Sequence, residues 1–137
     1  MSFVKGRVPN PPVLKLYAPS SYWETPSHII DEMTGGCGPG GFGDMLVPDT
    51  MYGLSVKPAC RIHDFQYFVG KTLEDKIAAD RIFLNNMVRI INANSGLRIL
   101  RRLRLIRART YYTFVQCFGG PAFWAGKNSN LEEREHG

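Results

Sequence analysis

A histidine and two aspartates stand in an arrangement that suits acid–base chemistry. His63 and Asp64 are adjacent, and Asp80 follows in the next stretch of helical periodicity. An imidazole that donates one ring N–H to a carboxylate is held in a single tautomer, and its other nitrogen can then act as a base. A second carboxylate beside that imidazole can bind a cation. These residue types therefore indicate a general base next to a metal ligand.

A glycine-rich segment precedes these residues. Gly35–Gly43 has the sequence GGCGPGGFG. Because glycine in such density costs backbone entropy, we expect it where the backbone must approach a ligand closely. Backbone carbonyls together with the carboxylate of Asp64 suit a hard cation such as Ca²⁺, which takes about 6 to 8 oxygen ligands. Cys37 and Cys60 offer a covalent tie that would press this loop against the helix of Asp64. The sequence therefore predicts a cation between the glycine backbone and Asp64.

Two helices must position the titratable residues. Helical periodicity runs over residues 56–69, and Gly70 follows as a C-cap. Thr72 with Asp75 resembles a capping box that opens a second helix, which runs to about Asn92. The short connection predicts an antiparallel pair of helices.

Each of these helices carries a polar residue within an apolar stripe. Spacings of four and three residues predict the inward-facing side chains as Val56, Cys60, His63 and Tyr67 in the first helix, and Leu73, Ile77, Asp80, Leu84, Met87 and Ile91 in the second. A buried charge needs a partner. At ~1.5 Å per residue, His63 and Asp80 both lie about 10 to 12 Å from the turn, so we expect them to be level and within reach of each other. Asp64 is turned about 100° from His63 and therefore faces a different partner.

The charge of the chain is concentrated in one place. The 137 residues carry a net charge of +5. Six arginines occur within twelve residues: Arg98, Arg101, Arg102, Arg104, Arg107 and Arg109. Such a cluster attracts polyanions, whether nucleic acid, an anionic membrane or an assembly partner. No apolar run reaches the roughly 18 residues of a membrane span, and we see no signal-peptide pattern.

The expected organisation is one mainly α domain with two extensions. Residues 1–27 contain five prolines and are expected as an extended, partly disordered arm, residues 28–118 as the domain, and residues 119–137 as a tail that frays at its end. Within the domain we expect a short helix over Ser27–Met33 and an arginine-rich helix from Leu97 to about Thr110 or beyond.

The cysteines exclude two kinds of site. Three cysteines are too few for a disulfide scaffold, and they lack the spacing of zinc ligands. We expect Cys117 as a buried core thiol.

The motifs resemble those of the phospholipase A2 superfamily, in its secreted type. CGPGG at Cys37–Gly41 resembles the family's calcium loop, HDFQY at His63–Tyr67 resembles its HDxxY motif, and Asp80 lies in the antiparallel helix that follows. The resemblance extends from Gly35 to roughly Met87. It implies a core of two antiparallel helices that carry a His-Asp pair, with a calcium loop, to which this chain adds a basic helix.

The resemblance also implies how Ca²⁺ would be held. The ligands would be the backbone carbonyls of Gly36, Gly38 and Gly40 and the carboxylate of Asp64. The backbone amide of Gly38 would help to stabilise the oxyanion.

A reaction follows from the same resemblance. His63 would activate a water molecule, Asp80 would orient the imidazole, and Tyr67 would hydrogen-bond Asp80. The implied reaction is hydrolysis of the sn-2 ester of a glycerophospholipid at a bilayer surface, which releases a fatty acid and a lysophospholipid.

Several positions depart from the family pattern. Gln66 and Ala79 stand where the family's helix-to-helix disulfide is expected, and Ala59 replaces another cysteine. Only a Cys37–Cys60 bridge remains possible. The short connection between the helices lacks the family's β-hairpin insertion, which brings the chain closer to compact microbial and viral versions, including the domain carried by some viral capsid proteins. With no signal peptide, the expected location is cytoplasmic, virion-associated or non-classically exported.

Two hypotheses follow. In the first, the chain is a calcium-dependent phospholipase that docks on anionic bilayers through its arginine-rich helix. In the second, it is a catalytically silent structural or nucleic-acid-associated component, for example of a virus particle, that uses the phospholipase fold as a scaffold. Intact His63, Asp64 and Asp80 favour the first hypothesis, because a scaffold would pack better with apolar residues there.

Overall fold

The structure, a computed structural model, describes residues 3–7, 15–34, 50–94, 96–125 and 127. Within these ranges the chain is mainly helical, as predicted. The helices are α1 (Ser20–Glu24), α2 (Ser27–Thr34), α3 (Lys57–Val69), α4 (Leu73–Ala93), α5 (Arg98–Phe118) and α6 (Gly120–Trp124). The strands form two antiparallel pairs, β1 (Phe3–Arg7) with β2 (Lys15–Pro19) and β3 (Thr50–Met51) with β4 (Leu54–Ser55).

The connection between α3 and α4 has the predicted caps. α3 ends before Gly70, whose N–H donates to the carbonyl of Gln66 at 2.8 Å. The predicted capping box is confirmed: the Asp75 N–H donates to Thr72 Oγ1 at 3.1 Å, and Asp75 Oδ2 accepts from the Thr72 N–H at 3.2 Å. Gly70 is also a point of close approach, because a Cβ there would lie 2.7 Å from Phe123 Cε1.

The inner side of α4 differs from the predicted stripe near its N-terminus. Leu73 and Ile77 are 56% and 43% exposed, so their expected inward position is wrong. The buried side chains are Lys76, Ala79, Asp80, Phe83, Asn86, Met87, Ile90 and Ile91. The Lys76 side of α4 faces α5 instead, because the ammonium of Lys76 finds acceptors there, among them the Val115 carbonyl near the C-terminus of α5 at 3.1 Å.

The N-terminal segment is part of the core, so the extended arm expected over residues 1–27 is wrong for residues 15–24. Leu16 and Ala18 of β2 are fully buried. The side-chain amide of Asn86 on α4 bonds both backbone groups of Tyr17, accepting from its N–H and donating to its carbonyl at 2.8 Å each. Arg89 also covers the Tyr17 ring, with its guanidinium carbon 4.5 Å from the ring centroid. These contacts fasten β2 to α4.

The β3–β4 hairpin is held by α5. Its turn residues Tyr52 and Gly53 have φ angles of 48° and 81°, as two-residue hairpin turns require. Arg104 is buried and donates to the carbonyls of Met51 at 3.2 Å and Tyr52 at 2.6 Å. Arg107 donates to the Tyr52 hydroxyl at 3.1 Å. Arg101 donates to Asn92 Oδ1 at the end of α4 at 2.9 Å. Three of the six clustered arginines therefore make contacts within the fold.

The boundary expected at residue 119 does not separate a tail from the domain. Phe123 of α6 is fully buried and packs edge-to-face on Tyr67, with ring centroids 5.2 Å apart. Cys117 is exposed and is a free thiol, so its expected place in the core is wrong. The reason is helical geometry: at about 100° per residue, Cys117 points away from the inner side that Val115 marks.

In the described part of the chain, no helix combines the length and the apolar character of a membrane-spanning segment.

Candidate functional site

A histidine and an aspartate from neighbouring helices meet in the interior. His63 on α3 and Asp80 on α4 are each only 2% exposed, and Nε2 of His63 lies 2.8 Å from Oδ1 of Asp80. When Nε2 carries the hydrogen and donates it to Asp80, the lone pair of the neutral ring is on Nδ1. The pair thus has the geometry of an oriented general base.

Asp80 accepts hydrogen bonds from three side chains. Besides His63, the hydroxyl of Tyr67 donates to Oδ1 at 2.6 Å, and the ammonium of Lys76 donates to Oδ2 at 2.9 Å. Burial acts to raise the pKa of Asp80, but the hydrogen bond and charge of His63, with the bonds from Lys76 and Tyr67, outweigh it and keep that pKa below its usual value. Asp80 is therefore a carboxylate at neutral pH.

The imidazole of His63 lies between aromatic rings. Phe83 stacks on it with ring centroids 4.5 Å apart. The ring centroid of Tyr67 lies 4.2 Å from that of His63. Burial lowers the pKa of His63, the contact with Asp80 partly opposes this, and the charge of Lys76 lowers the pKa further. The ring is therefore neutral at neutral pH, which is the form that can accept a proton.

Asp64 is a buried carboxylate without a full set of partners. It is 9% exposed, and its Oδ2 has no hydrogen-bond partner among the residues that the structure describes. Burial raises the pKa of Asp64 to about 8. Without a cation this carboxyl group is therefore mainly protonated at neutral pH, and a bound cation would favour the carboxylate because its charge replaces the lost hydration. Asp64 therefore fits the role of a Ca²⁺ ligand.

The other predicted calcium ligands lie outside the described residues. These are the carbonyls of Gly36, Gly38 and Gly40, and the amide of Gly38 lies outside them as well. Over the ranges described, no group of three or more His, Cys, Asp or Glu side chains is placed to hold a metal ion. A site made of backbone carbonyls and one carboxylate would not contain such a group.

The segments on either side of residues 35–49 are tied to the helical core. On the N-terminal side, Arg61 of α3 donates to the carbonyl and hydroxyl oxygens of Ser27 at 2.7 and 2.8 Å and forms an ion pair with Asp31. On the C-terminal side, Arg104 holds the β3–β4 hairpin. Cys60 is disulfide-bonded, and its predicted partner Cys37 lies outside the described residues.

Sequence reasoning missed three residues of this site. Lys76 stands four residues before Asp80, a spacing that places both on one side of a helix, so the pair was open to prediction. Phe83 also follows Asp80 on that side, at i+3. Gly119 had no such signal: a Cβ there would lie 2.4 Å from the Tyr67 hydroxyl, so glycine is needed for close packing.

The comparison with known proteins identifies no relative of this chain. Protein-family models, curated proteins and solved structures were all searched, and none of them matches the chain. The resemblance to phospholipases A2 therefore stays a prediction from the sequence motifs. The contacts of His63, Asp64 and Asp80 are the independent basis on which a function can be proposed.

Proposed function

We propose that this chain is a calcium-dependent phospholipase A2, which hydrolyses the sn-2 ester of glycerophospholipids. The observation that carries the proposal is the buried contact between His63 Nε2 and Asp80 Oδ1 at 2.8 Å. One residue along α3 from His63 lies Asp64, whose Oδ2 has no hydrogen-bond partner within the described ranges. A neutral imidazole oriented by a carboxylate and placed beside a potential metal ligand suits hydrolysis by an activated water molecule.

The chain's own residues supply the proton transfers. Nδ1 of His63 accepts a proton from water as the water oxygen attacks the ester carbonyl carbon. Asp80 then faces a positive imidazolium and stabilises it. The same proton passes to the alkoxide oxygen of the leaving lysophospholipid, and the fatty acid takes up the hydroxyl of the water.

The carboxylate that orients His63 has little freedom to move. Tyr67 and Lys76 hold it through both oxygens, and Phe83 fixes the plane of the imidazole. Such preorganisation reduces the reorganisation needed in the transition state.

The carboxyl group of Asp64 and the carbonyls of Gly36, Gly38 and Gly40 would hold the proposed metal. When bound, Ca²⁺ would supply positive charge that stabilises the developing oxyanion, together with the amide of Gly38. This assignment is supported by Asp64 Oδ2, which has no hydrogen-bond partner among the described residues.

The second hypothesis, a catalytically silent structural or nucleic-acid-associated component, has one observation in its favour, the exposed arginines of α5. Asp64 counts against it, because its Oδ2 has no hydrogen-bond partner in the part of the chain that the structure describes, and a scaffold gains nothing from a buried carboxyl group in that state.

The test is an assay on vesicles of phosphatidylcholine and phosphatidylglycerol whose sn-1 and sn-2 acyl chains differ in mass. We expect calcium-dependent release of the sn-2 fatty acid, read by mass spectrometry. His63→Gln should lower the rate by roughly 10² to 10⁴, the usual contribution of a general base. His28→Gln is the matched control, since His28 is exposed on α2.

Two outcomes would contradict the proposal. Release that survives both a chelator and His63→Gln would show another mechanism. A folded wild-type chain that binds calcium but releases no fatty acid would favour the silent scaffold.

A further inference from the structure

The outer side of α5 exposes large apolar side chains. The buried inner side of this helix consists of Arg104, Ala108, Tyr111 and Val115. At about 100° per residue, Ile99 and Ile106 lie on the side opposite to these residues, and they are 61% and 57% exposed. Leu103, next to them, is 36% exposed. α5 therefore presents an apolar stripe that the described fold does not cover.

Exposed arginines border this stripe. Arg98, Arg102 and Arg109 are all exposed. Arg104 and Arg107 also lie on α5, but they bind the β3–β4 hairpin and do not border this stripe. The docking face, as we call it, consists of Ile99, Leu103 and Ile106 with Arg98, Arg102 and Arg109.

No acidic residue balances this charge within the neighbouring sequence. Between Asp80 and Glu132 the chain contains neither Asp nor Glu. α5 itself therefore carries arginines and no acidic side chain, and we expect the attraction of its docking face to anions to weaken as salt rises.

The docking face extends towards the C-terminus of α5. An open depression there is lined by Ile106, Arg109, Thr110, Thr113, Phe114 and Phe118. None of His63, Asp64 and Asp80 lines this depression, so the face is separate from the candidate site.

The combination of side chains distinguishes between the partners that an arginine cluster could bind. Nucleic acid would satisfy the arginines through its phosphates, but it would leave the isoleucines in contact with a polar backbone. A second copy would bring two positive faces together. A bilayer with anionic headgroups satisfies both groups, since the headgroups pair with arginine and the acyl region accepts the isoleucines.

We propose that α5 docks on anionic phospholipid surfaces, with its axis parallel to the membrane and Ile99 and Ile106 inserted below the headgroups. The proposal goes beyond the proposed chemistry, because binding through this face needs neither His63 nor calcium. It identifies a separate surface at which the protein meets lipid.

The experiment is co-sedimentation of the whole chain with vesicles in the presence of a chelator. Vesicles of equal parts phosphatidylcholine and phosphatidylglycerol are compared with vesicles of phosphatidylcholine alone. We expect binding to the anionic vesicles only, and weaker binding at high salt. The triple variant Arg98→Ala, Arg102→Ala, Arg109→Ala should bind on the order of 100-fold more weakly at low salt, because each arginine near the surface contributes roughly fivefold.

Three further variants separate charge from apolar insertion. Lys57→Ala, Lys71→Ala, Arg81→Ala removes the same charge from exposed positions outside α5 and should lose far less binding. Ile99→Ser with Ile106→Ser should weaken binding roughly tenfold or more while the charge is unchanged. Leu73→Ser with Ile77→Ser, which alters two exposed apolar residues of α4, is its matched control and should have little effect. Circular dichroism melting checks that each variant is folded.

Three results would overturn the proposal. The first is equal loss of binding in the α5 triple variant and its charge-matched control. The second is binding of duplex DNA that the arginine variant loses and the isoleucine variant keeps, without vesicle binding, which would assign the face to nucleic acid. The third is a dimer in sedimentation velocity that the isoleucine variant dissociates, which would assign it to a second copy.

Discussion

Lys76 Nζ lies 2.9 Å from Asp80 Oδ2, so the carboxylate that contacts His63 also pairs with a buried cation one helical turn away. With His63 neutral, this cluster has no net charge. A protonated His63 would be attracted by Asp80 and repelled by Lys76, so Lys76 helps to set how readily the imidazole accepts a proton.

Lys76→Met should therefore change both stability and the titration of His63. Removing one partner of a buried ion pair leaves an uncompensated charge and costs about 3 to 5 kcal/mol in the free energy of unfolding. The pKa of His63 should rise, because a neighbouring positive charge is gone. Urea denaturation measures the first effect and NMR titration of the imidazole measures the second.

The double variant Lys76→Met, Asp80→Asn is the control for that experiment. It removes both charges and should recover part of the lost stability. A double variant whose loss equals the sum of both single losses would show that the pair is not coupled.

Asp64→Asn should have opposite effects with and without calcium. The pKa of Asp64 is raised from 3.8 to about 8 in the folded state, so the folded state holds more protons between these values and stability falls as pH rises through that window. In a chelator at pH 7 the variant should melt at a higher temperature than wild type, by an amount equivalent to at most about 4 kcal/mol. The advantage should shrink as pH falls towards 4.

With calcium the order should reverse, because only wild type gains stability from the bound ion. Melting in a calcium series with Glu24→Gln, an exposed carboxylate of α1, as control measures this response. Equal calcium stabilisation of wild type and Asp64→Asn would remove Asp64 from the metal site.

Gly119→Ala should disturb Tyr67 and thereby Asp80. A Cβ at Gly119 would lie 2.4 Å from both the Tyr67 hydroxyl and the Val115 carbonyl. We expect a loss of about 1 to 3 kcal/mol from the overpacking. Gly120→Ala is a close control, since nothing lies within 4 Å of a Cβ there. Thermal unfolding of the two variants should differ clearly, and similar melting temperatures would contradict the packing described at Tyr67.

Asp75 should make the stability of α4 depend on acid pH. The hydrogen bond from the backbone of Lys71, together with those from Thr72, lowers the pKa of Asp75 against the opposing effect of burial. A carboxyl whose pKa is lowered on folding stabilises the protein above its unfolded value, and this stability is lost as pH falls through its folded value.

Asp75→Asn should accordingly cost up to about 1 kcal/mol at neutral pH and nothing once the wild-type carboxyl is protonated. Urea titrations at several pH values test this, with Glu74→Gln in the same helical turn as control. A cost that does not change with pH would mean that the charge of Asp75 is irrelevant to the cap.

Much of the helical framework could be predicted because its signals are local. The cap at Gly70 and the capping box of Thr72 and Asp75 depend on residues a few positions apart. The equal distance of His63 and Asp80 from the turn could be predicted for the same reason, since that short turn joins their helices. Local signals fix caps and spacings, and these position the candidate site.

The errors concern contacts between distant parts of the sequence. The N-terminal segment was expected outside the core because nothing near Tyr17 indicates that Asn86 will bond its backbone. The inner side of α4 was misplaced because only α5 shows that Lys76 can be buried. Arg104 was counted with the surface charges because its partners are carbonyls of a hairpin far earlier in the chain.

The contact of Lys76 with the Val115 carbonyl spans 39 residues, which has a consequence during synthesis on the ribosome. α3 and α4 emerge while the end of α5 has not yet been made. Until then the ammonium of Lys76 keeps its water, because burying it without its carbonyl partner would cost several kcal/mol. We therefore expect the interior around His63 and Asp80 to close only after α5 has left the exit tunnel.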